Sequence, residues 1–520
     1  MSQHEIEVAA LKAVEQGGMK QVEVDGEKIL LLRDGDAVRA VGATCPHAGG
    51  PLVQGVRNGG RIICPWHKAA FCIRTGAVQD PPALDALPCY DVRVEAGRIL
   101  LTPAPAPAPA PAAPPAVSDG RCFVIVGAGG AGAMAAQTLR EEGFKGRVVM
   151  LDPANRVPYD RTVLSKYALS GQKGAEKSPL QTQCFYREHR IERRTAEVSR
   201  IDAQARRITC ADGTVMDYDA ALLATGAAPV MPSLPGAGLD HVYTLRSRAD
   251  ADAIVAQAER STCAVVLGAS FIGMEVAASL RERGLDVTVV GKEAAPFAKQ
   301  LGEQVGRAFV GLHEGHGVAF RLGRGVASLE GNGQVSGVVL EGGERIAADL
   351  VVAGFGVKPA TAYAEGLNRS DDGGLLVDAA LRVSPGLYAA GDIARFPHRG
   401  DGEPIRVEHW RVAEQHGRVA ALNMLGRDAR YDAVPFFWTI QYMKRLDYVG
   451  HAAAWDSTVL HGDLGKPEFL VYYVKDGRVA AAAGMGRDQD TAALIELFAR
   501  RRDWQAEEFG EHPAAVLAAL

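Results

Sequence analysis

The feature that most limits how this chain can fold is a glycine-rich turn that occurs twice, each time between an apolar β-branched run and an alanine-rich helical run. The first is Gly127-Ala-Gly129-Gly-Ala-Gly132, entered from residues 122–126 and left through residues 133–142. The second is Gly268-Ala-Ser270-Phe-Ile-Gly273, entered from residues 264–267. Such a unit needs glycine for the tight turn, for the approach of a pyrophosphate to the helix N-terminus, and for close packing of helix on strand. The glycine pattern alone is weak. In the first copy it comes with strand, helix and an acid, Asp152, at the end of the next strand, where a ribose hydroxyl can be bound. Two copies imply two dinucleotide-binding domains of the doubly wound α/β class.

The second copy departs from the pattern in two places. Ser270 replaces the middle glycine, which its small size permits. After the next strand, residues 287–290, the position of the usual ribose-binding acid is Gly291, followed by Lys292 and Glu293. Glu293 suits the ribose of NADH and Lys292 the 2′-phosphate of NADPH, so both nicotinamides stay open. Two more apolar strands meeting glycine turns, residues 222–229 (LLATGAAP) and 387–394 (LYAAGDIA), lie on either side of this copy. The first domain is therefore expected to be discontinuous, with the second inserted in it.

Residues 103–116 read PAPAPAPAPAAPPA, which cannot pack a core and favours an extended polyproline II path. This marks a tether that would let the piece before it move. That piece is a series of short β-like runs separated by Gly, Asp and Pro, an all-β domain. From residue 436 onward, strand-like runs and an Ala/Leu-rich helix suggest a small α+β domain. The expected limits are 1–102 for the β domain, 103–118 for the linker, 119–243 and 366–432 for the first nucleotide domain, 244–365 for the second, and 433–520 for the last.

Four of the eight cysteines fall in the first 90 residues. Cys45-Pro-His47 and Cys64-Pro-Trp-His67 offer two thiolates and two imidazoles in two Pro- and Gly-containing loops. That inventory suits a 2Fe-2S centre with two Cys on one iron and two His on the other; two Cys and two His also suit a closed zinc site. The surrounding CPHAGGPL and CPWHKAAFCIRTG resemble Rieske ferredoxins, which favours the cluster. High-potential Rieske proteins carry an extra cysteine in each loop and a serine after the last ligand. The corresponding positions here, Gly50, Trp66 and Ala69, resemble the low-potential ferredoxin type. Cys72 and Cys89 are expected to be ordinary buried thiols.

The segment YDRTVLSK, residues 159–166, holds no cysteine pair for disulfide chemistry. It resembles the YDRPxLSK of oxygenase-system ferredoxin reductases and of the apoptosis-inducing-factor family, with Thr162 for the usual proline. With FIGMEVAA, PFAKQLGEQVG, LYAAGDIARFP, VEHWRVAEQHGRVAALNM and VPFFWTIQY, the match extends over nearly the whole chain. It is similar to the Rieske-containing, apoptosis-inducing-factor-like branch of FAD/NAD(P) oxidoreductases, whose α/β part is glutathione-reductase-like. The resemblance implies that FAD occupies the first domain, held at Gly127, Gly129, Gly132, Asp152, Arg161, Thr225, Gly226 and Asp392, with Glu408, His409, Trp410 and Trp438 lining the flavin. Lys166 would lie near flavin N5, where a cation favours the reduced form, and Glu275 would approach the nicotinamide held by Gly268, Ser270, Gly273 and Glu293.

The implied activity is hydride transfer from NAD(P)H to FAD, then single-electron transfer to the cluster and to an external acceptor, a protein among the candidates. An NAD(P)H oxidase and a redox-signalling protein with little turnover are the rival readings. A net charge of −5 with Lys and Arg spread along the chain offers no footprint for nucleic acid. No signal-peptide core or membrane-length apolar run occurs, so a cytoplasmic protein, monomeric or homodimeric, is expected.

Overall fold

The computed structural model describes residues 5–105, 119–172 and 179–520; the expected tether falls largely outside them. The N-terminal part is all β. A six-stranded antiparallel sheet runs, in spatial order, Ile6–Ala10, Arg98–Pro105, Cys89–Glu95, Ala37–Gly42, Glu27–Asp34 and Met19–Val24. A smaller antiparallel sheet, Val56–Asn58, Arg61–Ile63, Ala70–Cys72 and Val78–Asp80, carries the cluster loops at its edge. Leu30, Leu32, Val41, Leu52, Ile62 and Phe71 pack between the sheets. Cys72 and Cys89 are half-buried free thiols rather than fully buried ones.

The first α/β sheet has the order Ile191–Thr195, Arg147–Asp152, Cys122–Val126, Ala220–Leu223, Leu387–Ala389 and Arg382–Ser384, parallel except for the last strand. Its central strands are buried on both faces, which explains their unbroken apolar sequences. The neighbours Ala220–Leu223 and Leu387–Ala389 are separated in the chain by a second, five-stranded parallel sheet. That sheet is ordered Val242–Thr244, Leu350–Ala353, Cys263–Leu267, Asp286–Gly291 and Ala319–Leu322.

A five-stranded antiparallel sheet completes the chain: Phe436–Gln441, Lys444–Gly450, Arg478–Met485, Glu468–Lys475 and Ser457–Asp463, backed by the helix Asp488–Arg500. The β domain packs directly on this sheet and on the helix Trp410–Met424, through contacts described below. Among the described residues no helix is long and apolar enough to cross a membrane.

Candidate functional site: a nucleotide cleft and a sulfur–imidazole centre on one wall

The two glycine turns are near copies. Gly127 and Gly268 take φ of 104° and 101°, where a side chain is strained, and a Cβ on either would strike the carbonyl oxygen of Ala224 (2.3 Å) or Gly354 (2.6 Å). A Cβ on Gly132 or Gly273 would come within 2.0 or 2.2 Å of the carbonyl oxygen of Gly127 or Gly268. They differ at the helix start. Ser270 caps the second helix by accepting from the Gly273 N–H at 3.1 Å. Gly129 leaves the first helix without a side-chain cap, with open space where its Cβ would stand. The first N-terminus thus keeps its N–H groups for an anion.

That helix opens on a cleft lined by Gly127, Gly129, Asp152, Arg161, Lys166, Thr225, Gly226, Asp392, Glu408, His409, Trp410 and Trp438. Asp152 accepts from the N–H groups of Ala128 and Ala154, both at 2.8 Å, which aims its carboxylate at the turn. Thr225 donates to the Ala360 carbonyl at 2.7 Å, and Asp392 pairs with Arg246 at 2.7 Å. His409 Nδ1 and Arg246 Nε are buried atoms without partners among the described residues, on the cleft wall. Open glycine, uncapped helix and orphaned polar atoms fit a dinucleotide such as FAD.

Lys166 and Glu275 meet on this wall. Lys166 lies on a wide, π-type turn, Leu164–Ala168, of the kind that concentrates at functional sites. Its Nζ is 3.0 Å from Glu275 and donates to the Thr162 carbonyl at 2.9 Å. The buried Glu275 carboxylate also accepts from Ser165 at 2.5 Å and Thr439 at 2.6 Å. Sequence reasoning missed Ser165 and Thr439 as partners, because they lie 110 and 164 residues from Glu275.

A second cavity, lined by Ser270, Phe271, Ile272, Lys299, Gly354 and His451, adjoins this cleft and shares Glu408 and His409 with it. Glu293 is not on its wall. Its carboxylate faces Lys299 at 3.7 Å, because the chain turns back after Gly291 and the Glu293 carbonyl accepts from Gly323.

In the β domain the four expected ligands come together. Cys45 and Cys64 are buried and within hydrogen-bonding reach of each other. The backbone N–H groups of His47 and Ala48 point at the Cys45 sulfur, and those of Trp66 and His67 at the Cys64 sulfur. His47 Nδ1 and His67 Nδ1 face each other at 3.1 Å. Two buried thiols and two facing imidazoles supply the two-Cys, two-His set that a 2Fe-2S centre of this kind needs. A Cβ on Gly50 would sit 2.7 Å from the Cys64 sulfur, so the extra cysteine of high-potential loops has no room there.

Trp438 joins the two sites: it lines the cleft, and its ring centroid is 4.4 Å from that of His67. Around it the β domain is held by charges that sequence reasoning did not single out. Lys68 donates to Asp447 at 2.7 Å, and Arg411, on the helix that begins at Trp410, donates to Asp80 at 2.7 Å.

Comparison with known proteins agrees with these sites. Residues 122–417 match the pyridine nucleotide-disulphide oxidoreductase model, residues 4–91 the Rieske [2Fe-2S] domain, and residues 436–519 the reductase C-terminal domain. Apoptosis-inducing factor 3 of Homo sapiens is 37% identical, over 96% of this chain and 84% of its own length. Rhodocoxin reductase of Rhodococcus erythropolis is 34% identical over 72% of this chain and 89% of its own. In a covalent putidaredoxin reductase–putidaredoxin complex, a chain superposes with a TM-score of 0.73 at 30% identity, covering 77% of this chain and 98% of that one.

Proposed function

This chain belongs to the pyridine nucleotide-disulphide oxidoreductase family, with a Rieske domain and a reductase C-terminal domain on the same polypeptide, and from that premise we propose that it passes electrons from NAD(P)H through FAD to its own 2Fe-2S cluster and on to an external acceptor. It is a ferredoxin-reductase-like NAD(P)H oxidoreductase that uses FAD, NAD(P)H and a Rieske cluster. The carrying observation is the shared wall: Trp438 borders the flavin cleft on one side and His67 on the other. When bound, flavin accepts a hydride from reduced nicotinamide and releases electrons singly, which a one-electron cluster requires.

The side chains divide the remaining work. The uncapped helix after Gly129 receives the pyrophosphate, and Asp152 a ribose hydroxyl. Glu275 fixes Lys166 at the cleft wall, with Ser165 and Thr439 holding the carboxylate in place. Cys45 and Cys64 would hold one iron, His47 and His67 the other. The crowding at Gly50 supports a centre of the low-potential type. In this reading the Rieske unit ends with the strand Arg98–Pro105, and the second nucleotide unit begins with the strand Val242–Thr244.

An anaerobic titration with NADH and with NADPH, following flavin and cluster absorbance together, tests the proposal. Both chromophores should be reduced in the native protein, and flavin alone in the full-length Cys64→Ser variant. A native cluster that stays oxidised beside fully reduced flavin would contradict it.

A further inference from the structure

The small sheet of the Rieske domain has two faces of different purpose. Val56 pairs with Ile63 and Ile63 with Ala70, which places the three side by side across adjacent strands. Their strand neighbours Ile62 and Phe71 point the other way, into the domain's own core. The row Val56, Ile63 and Ala70 points outward, yet it is buried, packed in one apolar cluster with Phe436, Leu470 and Leu497 of the C-terminal domain. In a freely moving carrier this row would face water, and contiguous exposed apolar surface is uncommon on independent domains.

Two clasps flank the row. Lys68 has no exposed surface and donates to Asp447 at 2.7 Å, to the Asp488 carbonyl at 3.2 Å and to the Pro65 carbonyl. Asp447 is held in turn by Thr491 at 2.9 Å and Arg445 at 3.0 Å. Next to this clasp Arg411, 1% exposed, donates to Asp80, to the Pro81 carbonyl at 2.9 Å and to the Lys68 carbonyl at 3.3 Å; Gln415 donates to Asp80 at 2.8 Å. Domains that move relative to each other meet through small, polar surfaces. This contact is apolar at its centre, and Lys68 and Arg411 are each paired with a carboxylate across it.

We propose that the Rieske domain is a fixed part of the reductase rather than a swinging carrier, seated by the row Val56, Ile63 and Ala70 and by the clasps Lys68–Asp447 and Arg411–Asp80, which position its imidazole edge against Trp438. The Pro/Ala segment then connects the domains without carrying one of them between stations. The seating deepens the relay reading, and its significance for electron flow rests on that reading.

The test is to place a protease site within residues 106–116 of the full chain and cut it. The N-terminal fragment should co-elute with the remainder on gel filtration, and NAD(P)H should reduce the cluster at the uncut rate at every protein concentration. A fragment that elutes alone, or a rate that falls on dilution, would overturn the proposal. Asp80→Ala should release the cut fragment more readily; release no faster than in the native protein would remove that clasp from the seat. Co-elution with an unreduced cluster would sink the relay and leave the seating intact, so the two failures are distinguishable.

Discussion

The two sides of the flavin cleft are built differently. Toward the second nucleotide unit the wall is open: Ile272 on it is 38% exposed, and Phe355, between Gly354 and Gly356 of the adjoining cavity, is 41% exposed. Toward the Rieske domain the contact is held by a shared apolar core and by the pairs Lys68–Asp447 and Arg411–Asp80, beside a cavity lined by His47, His67, Lys166 and Glu414. The contrast follows from what must cross each side. In the proposed relay a nicotinamide has to enter and leave at every turnover, whereas electrons cross the Trp438–His67 contact without any atom moving through it.

Substitutions on the two sides should therefore differ sharply. The largest effect is expected for Ile63→Asp, which puts an unpartnered charge into the sealed row. It should cost about 4 kcal/mol, the scale of an uncompensated buried charge, read as a lower urea midpoint for loss of cluster absorbance. Asp80→Ala comes next: it leaves the buried Arg411 guanidinium without its carboxylate and should cost about 3 kcal/mol in the same assay.

A third prediction concerns another closed seam, where His313 meets Gln441 at 2.7 Å. Burial lowers the His313 pKa from the ordinary 6.5 to about 4. The folded protein keeps this imidazole neutral while the unfolded chain protonates it. Its contribution is complete above pH 6.5 and is lost as pH falls toward about 4. His313→Gln should flatten that part of the stability–pH curve. The smallest effect belongs to the open side: Phe355→Ser should change stability by no more than about 0.5 kcal/mol. A loss there as large as at Ile63 would erase the contrast.

Much of the site was legible in the sequence because its chemistry is local. Cys45 and His47, Cys64 and His67, and the glycines at 127, 129 and 132 each lie within one loop, so spacing together with the flanking strands, helices and loop sequences marks them as candidates. The all-β, α/β and α+β parts were legible from strand and helix periodicity for the same reason. The seat of the Rieske domain was not, since Lys68 and Asp447 lie 379 residues apart and neither has a neighbouring pattern that marks it. Glu293, one of two alternatives with Lys292 for the ribose side, lies beside Lys299 at 3.7 Å. Ser270, read as a tolerated replacement for glycine, is a helix cap.

The central claim is that reducing equivalents pass from nicotinamide through flavin to the cluster inside one molecule. Anaerobic mixing with NADPH or NADH, quenched by rapid freezing and followed by electron paramagnetic resonance, tests it most directly. The reduced-cluster signal should grow in after flavin bleaching, at a rate independent of protein concentration. A signal that never appears, or one whose rate rises in proportion to protein concentration, would contradict the account.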